Sequence, residues 1–284
     1  MLEVLEDTAV DSIKLLPFLF ITYILMELIE HKAGNKTEKL IKKSGKFGPV
    51  LGAFLGIVPQ CGFSTVAANL YAARIVTRGT IIAIFLSTSD EMLPILISEG
   101  TNIVLILQIL AIKLVIGMIF GLLIDLIPRN NKKQAENDEH EEIHKICEQE
   151  HCNCEEEGII ISSIKHTLQI FAYIFIISLV INAIISLIGE EKISNLVVNV
   201  PFIGYFITAA IGVIPNCASS VILTELYLEK IITIGSMIAG LLVNSGVGLL
   251  VLFKVNKNYK ENFEILGLLY IIGAITGIVL DLIL

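Results

Sequence analysis

Two similar stretches of sequence decide the fold of this chain. GIVPQCGFSTVAANLY begins at Gly56, and GVIPNCASSVILTELY begins at Gly212. Identical residues recur at one offset of 156, which is the difference between positions 61 and 217. The pairs at this offset include Pro59/Pro215, Cys61/Cys217, Ser64/Ser220, Tyr71/Tyr227, Gly79/Gly235, Ser89/Ser245, Gly117/Gly273 and Asp125/Asp281. An ungapped match over such a distance indicates a duplicated unit.

The composition is that of a membrane protein. Of the 284 residues, 55% are hydrophobic and 17% are charged. The apolar blocks are 13–29, 79–98, 103–127, 167–188, 233–253 and 265–284. Each holds about 20 residues, enough for a helix to cross a hydrocarbon core of about 30 Å. Because a soluble core would show shorter amphipathic periods, the sequence predicts an all-α integral membrane protein.

The distribution of basic residues predicts the orientation. Lysine and arginine are enriched in cytoplasmic loops. Such residues follow the first apolar block, at 32–46, and recur at 129–133 and 254–260, whereas the turn at 99–102 has none. We therefore expect a multi-pass protein of the cell inner (cytoplasmic) membrane with both termini outside.

The first copy of the motif is expected to enter the membrane and return. It leaves a basic loop and is followed by Arg74 and Arg78, so both of its ends are predicted to be cytoplasmic. The two arms would be 48–58 and 63–73, with Pro59 at the tip. Eleven helical residues rise about 16 Å, half of the hydrocarbon core. A re-entrant hairpin fits this length, and so do two short spans.

Each half is thus predicted to hold three spanning helices plus one hairpin, or about ten helical segments in total. An odd number of crossings per half turns the second copy upside down, an inverted repeat of the kind common in secondary transporters. The predicted divisions are a first transmembrane repeat at 1–128, a cytoplasmic linker at 129–160 and a second, inverted repeat at 161–284.

Side chains near the hairpin tips form the predicted transport site. Pro59 and Pro215 break the helices and leave carbonyl groups unpaired. The candidates beside them are Gln60, Cys61 and Ser64 in the first half and Asn216, Cys217, Ser219 and Ser220 in the second. Thiols select softer transition metals, and oxygen ligands accommodate harder ones such as manganese. In the alternative interpretation, the prolines only kink helices and the cysteines fill space.

Two acidic residues strengthen this prediction. In LSTSDEMLP, Asp90 and Glu91 fall near the centre of an apolar span, where carboxylates mark ion paths or proton relays. The second half has Asn244 and Ser245 in the corresponding region. Lys113, a base within the next span, is a candidate coupling residue, and the alternative is a structural salt bridge to Asp90.

A second candidate metal site lies in the linker. HEEIHKICEQEHCNCEEE contains six thiol and imidazole groups: His140, His144, Cys147, His151, Cys152 and Cys154. Thiolate and imidazole are a zinc-like ligand set, although the spacing matches no standard zinc finger. The alternative is a disordered acidic linker.

VPQCGFSTVAANLYA and FLSTSDEMLPIL, together with the second PNCASS copy, resemble the ten-helix heavy-metal efflux permeases. That family is described as arsenic efflux permeases, and some members are labelled manganese transporters. The resemblance covers nearly the whole chain and implies a duplicated permease that exports a metal or a metalloid.

We therefore predict a secondary-active exporter of a divalent metal ion of the manganese, zinc or cadmium class, with rocking of one repeat against the other. The alternatives are an arsenite or organoarsenical efflux permease and a channel-like facilitator for small solutes. Enzymatic activity is not expected, because a thiol nucleophile needs a base and no histidine lies in a predicted span. The expected partners are the metal ion and the lipid bilayer. No cofactor or nucleic acid is expected, and a homo-oligomer stays open.

Overall fold

The computed structural model describes residues 47–58, 61–89, 92–127, 159–188 and 203–283, together with eight helical positions between 9 and 24. Most of the predicted first span and residues 129–158 of the predicted linker lie outside these residues. All regular secondary structure within the described ranges is α-helical, as the apolar blocks predict.

The helices follow the sequence repeat. They are α1 (Gly48–Gly56), α2 (Cys61–Ala72), α3 (Arg78–Ser87), α4 (Met92–Ser98), α5 (Ile103–Leu126), α6 (Ile159–Ile188), α7 (Gly204–Val213), α8 (Cys217–Leu228), α9 (Ile234–Val243), α10 (Gly248–Val255) and α11 (Tyr259–Ile283). Each of α7–α11 begins 156 positions after its counterpart among α1–α5. The duplication seen in the sequence is therefore also a duplication of helical elements.

Two of the predicted continuous spans are interrupted. The chain leaves the helix at Thr88, after α3, and at Asn244, after α9; these residues are repeat counterparts with similar extended backbones (φ −55°, ψ 129° and φ −71°, ψ 104°). We call these places the first and second breaks. The apolar blocks at 79–98 and 233–253 thus fall on stretches long enough to span a membrane, as predicted, but each is divided into two helices because polar residues inside the blocks end the first helix.

The interrupted spans are buried and the continuous ones are not. The stretches long and apolar enough to cross a membrane are Arg78–Ser98, Ile103–Leu126, Ile234–Val255 and Tyr259–Ile283. In the two interrupted spans, 75% and 89% of the most apolar 18 residues are buried, against 22% and 39% in α5 and α11. Non-helical backbone at membrane depth requires a protein or aqueous surrounding, and the continuous helices provide the outer wall.

Matching side-chain caps fix the start of α3 and of α9. The caps are Thr77 and Thr233, with identical backbone angles (φ −76°, ψ 163°). Asp125, at the end of α5, accepts hydrogen bonds from the Gly79 N–H (2.8 Å) and from Thr77 Oγ1 (2.5 Å). Asp281 on α11 accepts the same two bonds from Gly235 and Thr233. Both caps place the end of a continuous helix beside the start of an interrupted one.

Helices α1 and α2 form a hairpin that begins and ends at one end of α3. A Cβ atom on Gly48 would lie 2.4 Å from Thr80 Oγ1, and one on Gly56 would lie 2.0 Å from Ser87 Oγ. Helix α1 therefore runs beside α3 in the same direction. Helix α2 runs back and ends at Ala72, shortly before α3 begins at Arg78. The nine residues of α1 and twelve of α2 rise only about 14 and 18 Å. Each helix is therefore shorter than a hydrocarbon core of about 30 Å.

The two halves are packed crosswise. Helix α2 of the first half packs on α10 of the second, and α8 of the second packs on α4 of the first. Helices α3 and α9 are also in contact. The α2–α10 contact is close, because a Cβ atom on Gly248 would lie 2.6 Å from Ser64 Cβ. Each hairpin is thus held by the helix that follows the break of the opposite half.

Candidate functional site

Hydrogen bonds join each break to the hairpin of its own half. In the first break, Ser89 Oγ donates to the carbonyl oxygen of Ile57, at the end of α1, over 2.6 Å. In the second break, Asn244 Nδ2 donates to Ser219 Oγ over 3.2 Å and lies 3.5 Å from the carbonyl oxygen of Asn216. The end of α1 and the start of α8 are therefore each at the same depth as the break of their own half.

The second hairpin tip is built on the N-terminus of α8. Asn216 caps this helix, and its Oδ1 accepts a hydrogen bond from the Ala218 N–H over 3.1 Å. Ser219 Oγ lies within hydrogen-bonding distance of two carbonyl oxygens, those of Asn216 (2.7 Å) and Ile214 (3.0 Å). Such capping is favourable because the first N–H groups of a helix have no intrahelical partner. It also holds the polar side chains of the tip in fixed positions.

Lys113 connects the two breaks. Its side chain is 1% exposed, and Nζ donates hydrogen bonds to the carbonyl oxygen of Thr88 and to that of Leu241, the latter over 2.7 Å. These carbonyl groups lie at the C-terminal ends of α3 and α9, where the helix dipoles are negative. The repeat counterpart of Lys113 is Leu269, so this positive charge occurs in one half.

Buried hydroxyl and amide groups surround the breaks and the tips. We call this set the polar belt, and all its members are at most 5% exposed. It consists of Ser64, Thr65, Ser87, Thr88, Ser89, Asn216, Ser219, Ser220, Asn244 and Ser245. Neutral oxygen atoms inside an apolar core can replace the water molecules around a cation, which the surrounding hydrocarbon cannot do.

The polar belt contains five of the predicted candidates: Ser64, Asn216, Ser219, Ser220 and Asn244. Pro215, a predicted hairpin breaker, lies between the end of α7 at Val213 and the start of α8 at Cys217.

The other predicted site residues lie partly or wholly outside the described part of the structure. Cys61 and Cys217 are the first residues of α2 and α8, and their side chains lie outside the description. Also outside the described residues are Pro59, Gln60, Asp90, Glu91, His140, His144, Cys147, His151, Cys152 and Cys154. Within the described ranges, no group of three or more histidine, cysteine or acidic side chains is positioned to hold a metal ion.

Sequence reasoning missed the breaks themselves. The signal was present as two short polar runs, Ser-Thr-Ser at 87–89 and Asn-Ser-Gly at 244–246, because serine, asparagine and glycine favour turns over helix interiors. The roles of Asp125 and Asp281 as helix caps were also missed, although the threonines at 77 and 233 are good N-cap residues.

Ion pairs join the start of α3 to the start of α11. Arg74 Nη1 lies 2.8 Å from Glu261 Oε2, and Arg78 Nη1 lies 2.8 Å from Glu264 Oε2. The Tyr71 hydroxyl also donates to Glu261 over 3.3 Å. Glu261 is only 6% exposed, so this acid is held inside the protein by groups of the first hairpin. The first hairpin therefore returns to the level at which α11 begins.

Comparison with known proteins identifies a family. A family model described as "Putative, 10TM heavy-metal exporter" matches residues 2–196. This range covers the first hairpin, the first break and Lys113. No curated protein and no solved structure matches the chain.

Proposed function

The chain belongs to this family of ten-transmembrane heavy-metal exporters, and from that premise we propose that it exports a divalent transition or heavy metal ion through the polar belt. The observation that carries the proposal is the meeting of the two helix breaks in the buried interior, where Lys113 joins them and the starts of α2 and α8 lie beside them. Broken helices that meet near the midplane supply backbone and side-chain ligands in secondary transporters.

The ion pairs support an inverted arrangement of the halves. Arg78, at the start of α3, lies beside Glu264, near the start of α11. The stretch Arg78–Ser98 is long enough to cross the membrane, so α5 begins on the side opposite to the start of α3. Helix α11, the counterpart of α5, begins on the same side as the start of α3. Equivalent helices would then cross in opposite directions.

The chemistry of the belt favours a cation that accepts both oxygen and sulfur ligands. The neutral oxygens come from residues such as Ser64, Ser220 and Asn244, and sulfur would come from Cys61 and Cys217 at the starts of α2 and α8. Positive Lys113 would repel a cation at this depth unless negative charge were close. Asp90 and Glu91, which follow Ser89 in the sequence, are the proposed source of that charge.

The packing between the halves indicates which helices would move together when the site opens to one side of the membrane and then to the other. Because α2 packs on α10 and α8 packs on α4, a moving body would carry a hairpin arm from one half together with a helix from the other. We expect motion at the breaks, where backbone hydrogen bonding is already interrupted. The boundaries of the moving body would then differ from the divisions of the sequence at 128 and 161.

The test is the metal content of cells that express the protein, measured by elemental mass spectrometry for manganese, zinc, cadmium, cobalt, nickel and arsenite. We expect lower content of one divalent metal in cells with the wild-type protein. Asp90→Asn/Glu91→Gln and Cys61→Ser/Cys217→Ser should abolish the effect. Glu99→Gln, which removes an exposed acid after α4, is the matched control and should export normally.

Two results would overturn the proposal. Lower arsenic with no change in any divalent metal would favour the arsenite permease, for which the paired cysteines at the starts of α2 and α8 would be the thiol ligands. Unchanged content of every element in a well-expressed protein would favour a facilitator of small solutes.

A further inference from the structure

Equivalent serines in the two breaks have different surroundings. Ser89 and Ser245 are related by the 156-residue offset, and each is 2% exposed. Ser89 Oγ donates a hydrogen bond of 2.6 Å to the carbonyl oxygen of Ile57. Ser245 Oγ has no hydrogen-bond partner among the protein groups, and it is the only buried side-chain oxygen in the described part of the chain with that property.

A buried hydroxyl without a partner destabilises the fold. It has lost its hydrogen bonds to water and gained none in return. Alanine would fill the same position in the second break without this cost. An unsatisfied buried polar group in a native structure calls for an explanation, and a bound ion is one.

The polar groups next to the Ser245 hydroxyl already have hydrogen-bond partners. The Asn244 side chain donates to Ser219 Oγ and accepts a hydrogen bond from the Gly246 N–H over 2.8 Å. The backbone carbonyl of Ser245 itself accepts from the Gly248 N–H over 3.2 Å. The Ser245 hydroxyl thus sits in a rigid polar frame, with its own oxygen uncommitted.

We propose that Ser245 Oγ is a ligand of the transported metal ion, contributed by the second half of the chain. This inference rests on the proposed function. It makes the two halves unequal. The Ser89 hydroxyl donates to the end of α1, whereas the Ser245 hydroxyl would bind the transported ion. The second break would thus supply a neutral, hard oxygen to the ion.

Metal binding to the purified protein tests the inference separately from transport. The thermal unfolding temperature is measured in detergent as manganese, zinc or cadmium is increased, because a ligand that binds only the folded state raises it according to concentration and affinity. Without metal, Ser245→Ala should unfold at the wild-type temperature or above it, whereas Ser89→Ala should unfold lower. With metal, Ser245→Ala should bind at least about 10-fold more weakly.

A thiol at the same position gives a readout that a purely structural role would not change. Ser245→Cys should shift the preference from manganese toward cadmium, since sulfur favours softer ions. Ser98→Cys, which adds a thiol at an exposed position at the end of α4, is the control and should leave the preference unchanged.

Several outcomes would overturn the inference. These are a lower unfolding temperature of metal-free Ser245→Ala, unchanged metal affinity in that variant, unchanged preference in Ser245→Cys, and no stabilisation of the wild type by any of the metals. Failure of the proposed function is a different result, namely that the wild-type protein binds metal but does not lower its content in cells.

Discussion

Lys113 donates a hydrogen bond to the carbonyl oxygen of Leu241, 2.7 Å away, although the two residues belong to different halves of the chain. The same ammonium group donates to the carbonyl oxygen of Thr88. A buried ammonium is costly unless it is hydrogen-bonded and compensated by negative charge. The C-terminal ends of α3 and α9 provide both, so one side chain joins the two interrupted spans where their backbones open.

Replacement of Lys113 by methionine, which has a similar length, should lower the stability of the protein. The carbonyl groups of Thr88 and Leu241 would remain buried without this donor, at a cost of about 1–3 kcal/mol each. The measurement is unfolding of the purified protein in detergent. Lys260→Met, at an exposed position, is the control and should change stability by less than about 0.5 kcal/mol. Equal stability of the two variants would show that Lys113 does not hold the breaks together.

The two aspartate caps should differ in strength. Asp281 accepts a third hydrogen bond, from the Tyr205 hydroxyl over 2.8 Å, whereas the first half has Pro49 at the position equivalent to Tyr205. Asp281→Ala should therefore destabilise the protein more than Asp125→Ala, by about 1.5–3 kcal/mol, the usual contribution of a hydrogen bond to a charged group. Tyr205→Phe should account for the difference. An equal loss in the two aspartate variants would contradict this explanation.

Gly79→Ala should prevent correct folding. The new Cβ atom would lie 2.1 Å from the carbonyl oxygen of Gly121 on α5, a backbone atom that cannot move aside at low cost. Gly267→Ala is the matched control, because a Cβ there has open space and alanine favours a helix by about 1 kcal/mol. The amount of monodisperse protein recovered in detergent checks both expectations. Normal recovery of Gly79→Ala would mean that α3 and α5 are farther apart.

Labelling of single cysteines tests the inverted arrangement. In a background with the five native cysteines changed to serine, Glu99→Cys should react with a membrane-impermeant maleimide applied to intact cells. Lys257→Cys, in the equivalent loop of the second half, should react only after permeabilisation. Both positions are exposed, so accessibility within the protein is matched. Labelling of both from the same side would contradict the inversion.

The sequence predicted the helices, the repeat and several members of the polar belt. The offset between Cys61 and Cys217 carries over to the start of every helix from α7 to α11, because a duplicated sequence makes the same local interactions twice. Asn216 and Asn244 stood out in the sequence because amides are rare in apolar blocks, and both are buried in the polar belt, whereas their role as ligands stays a prediction.

Other features could not be predicted from the sequence. The breaks at Thr88 and Asn244 were missed because average hydropathy over about 20 residues hides two or three polar positions. The crosswise contact between Ser64 and Gly248 was missed because long-range packing depends on shape, which periodicity does not encode. Whether a hydroxyl is satisfied, as in Ser89, or not, as in Ser245, also depends on the distance to a neighbouring carbonyl in the folded protein.

The contact between Ser64 and Gly248 also sets an order for the synthesis of the protein. Gly248 follows Ser64 by 184 positions, so the ribosome completes the first hairpin long before the helix that covers it exists. Until α10 arrives, the hydroxyl and amide groups of α2 would face lipid or a chaperone of the insertion machinery. The first half is therefore an unfinished intermediate, and a chain that stops in the linker should be recognised by quality-control proteases and degraded.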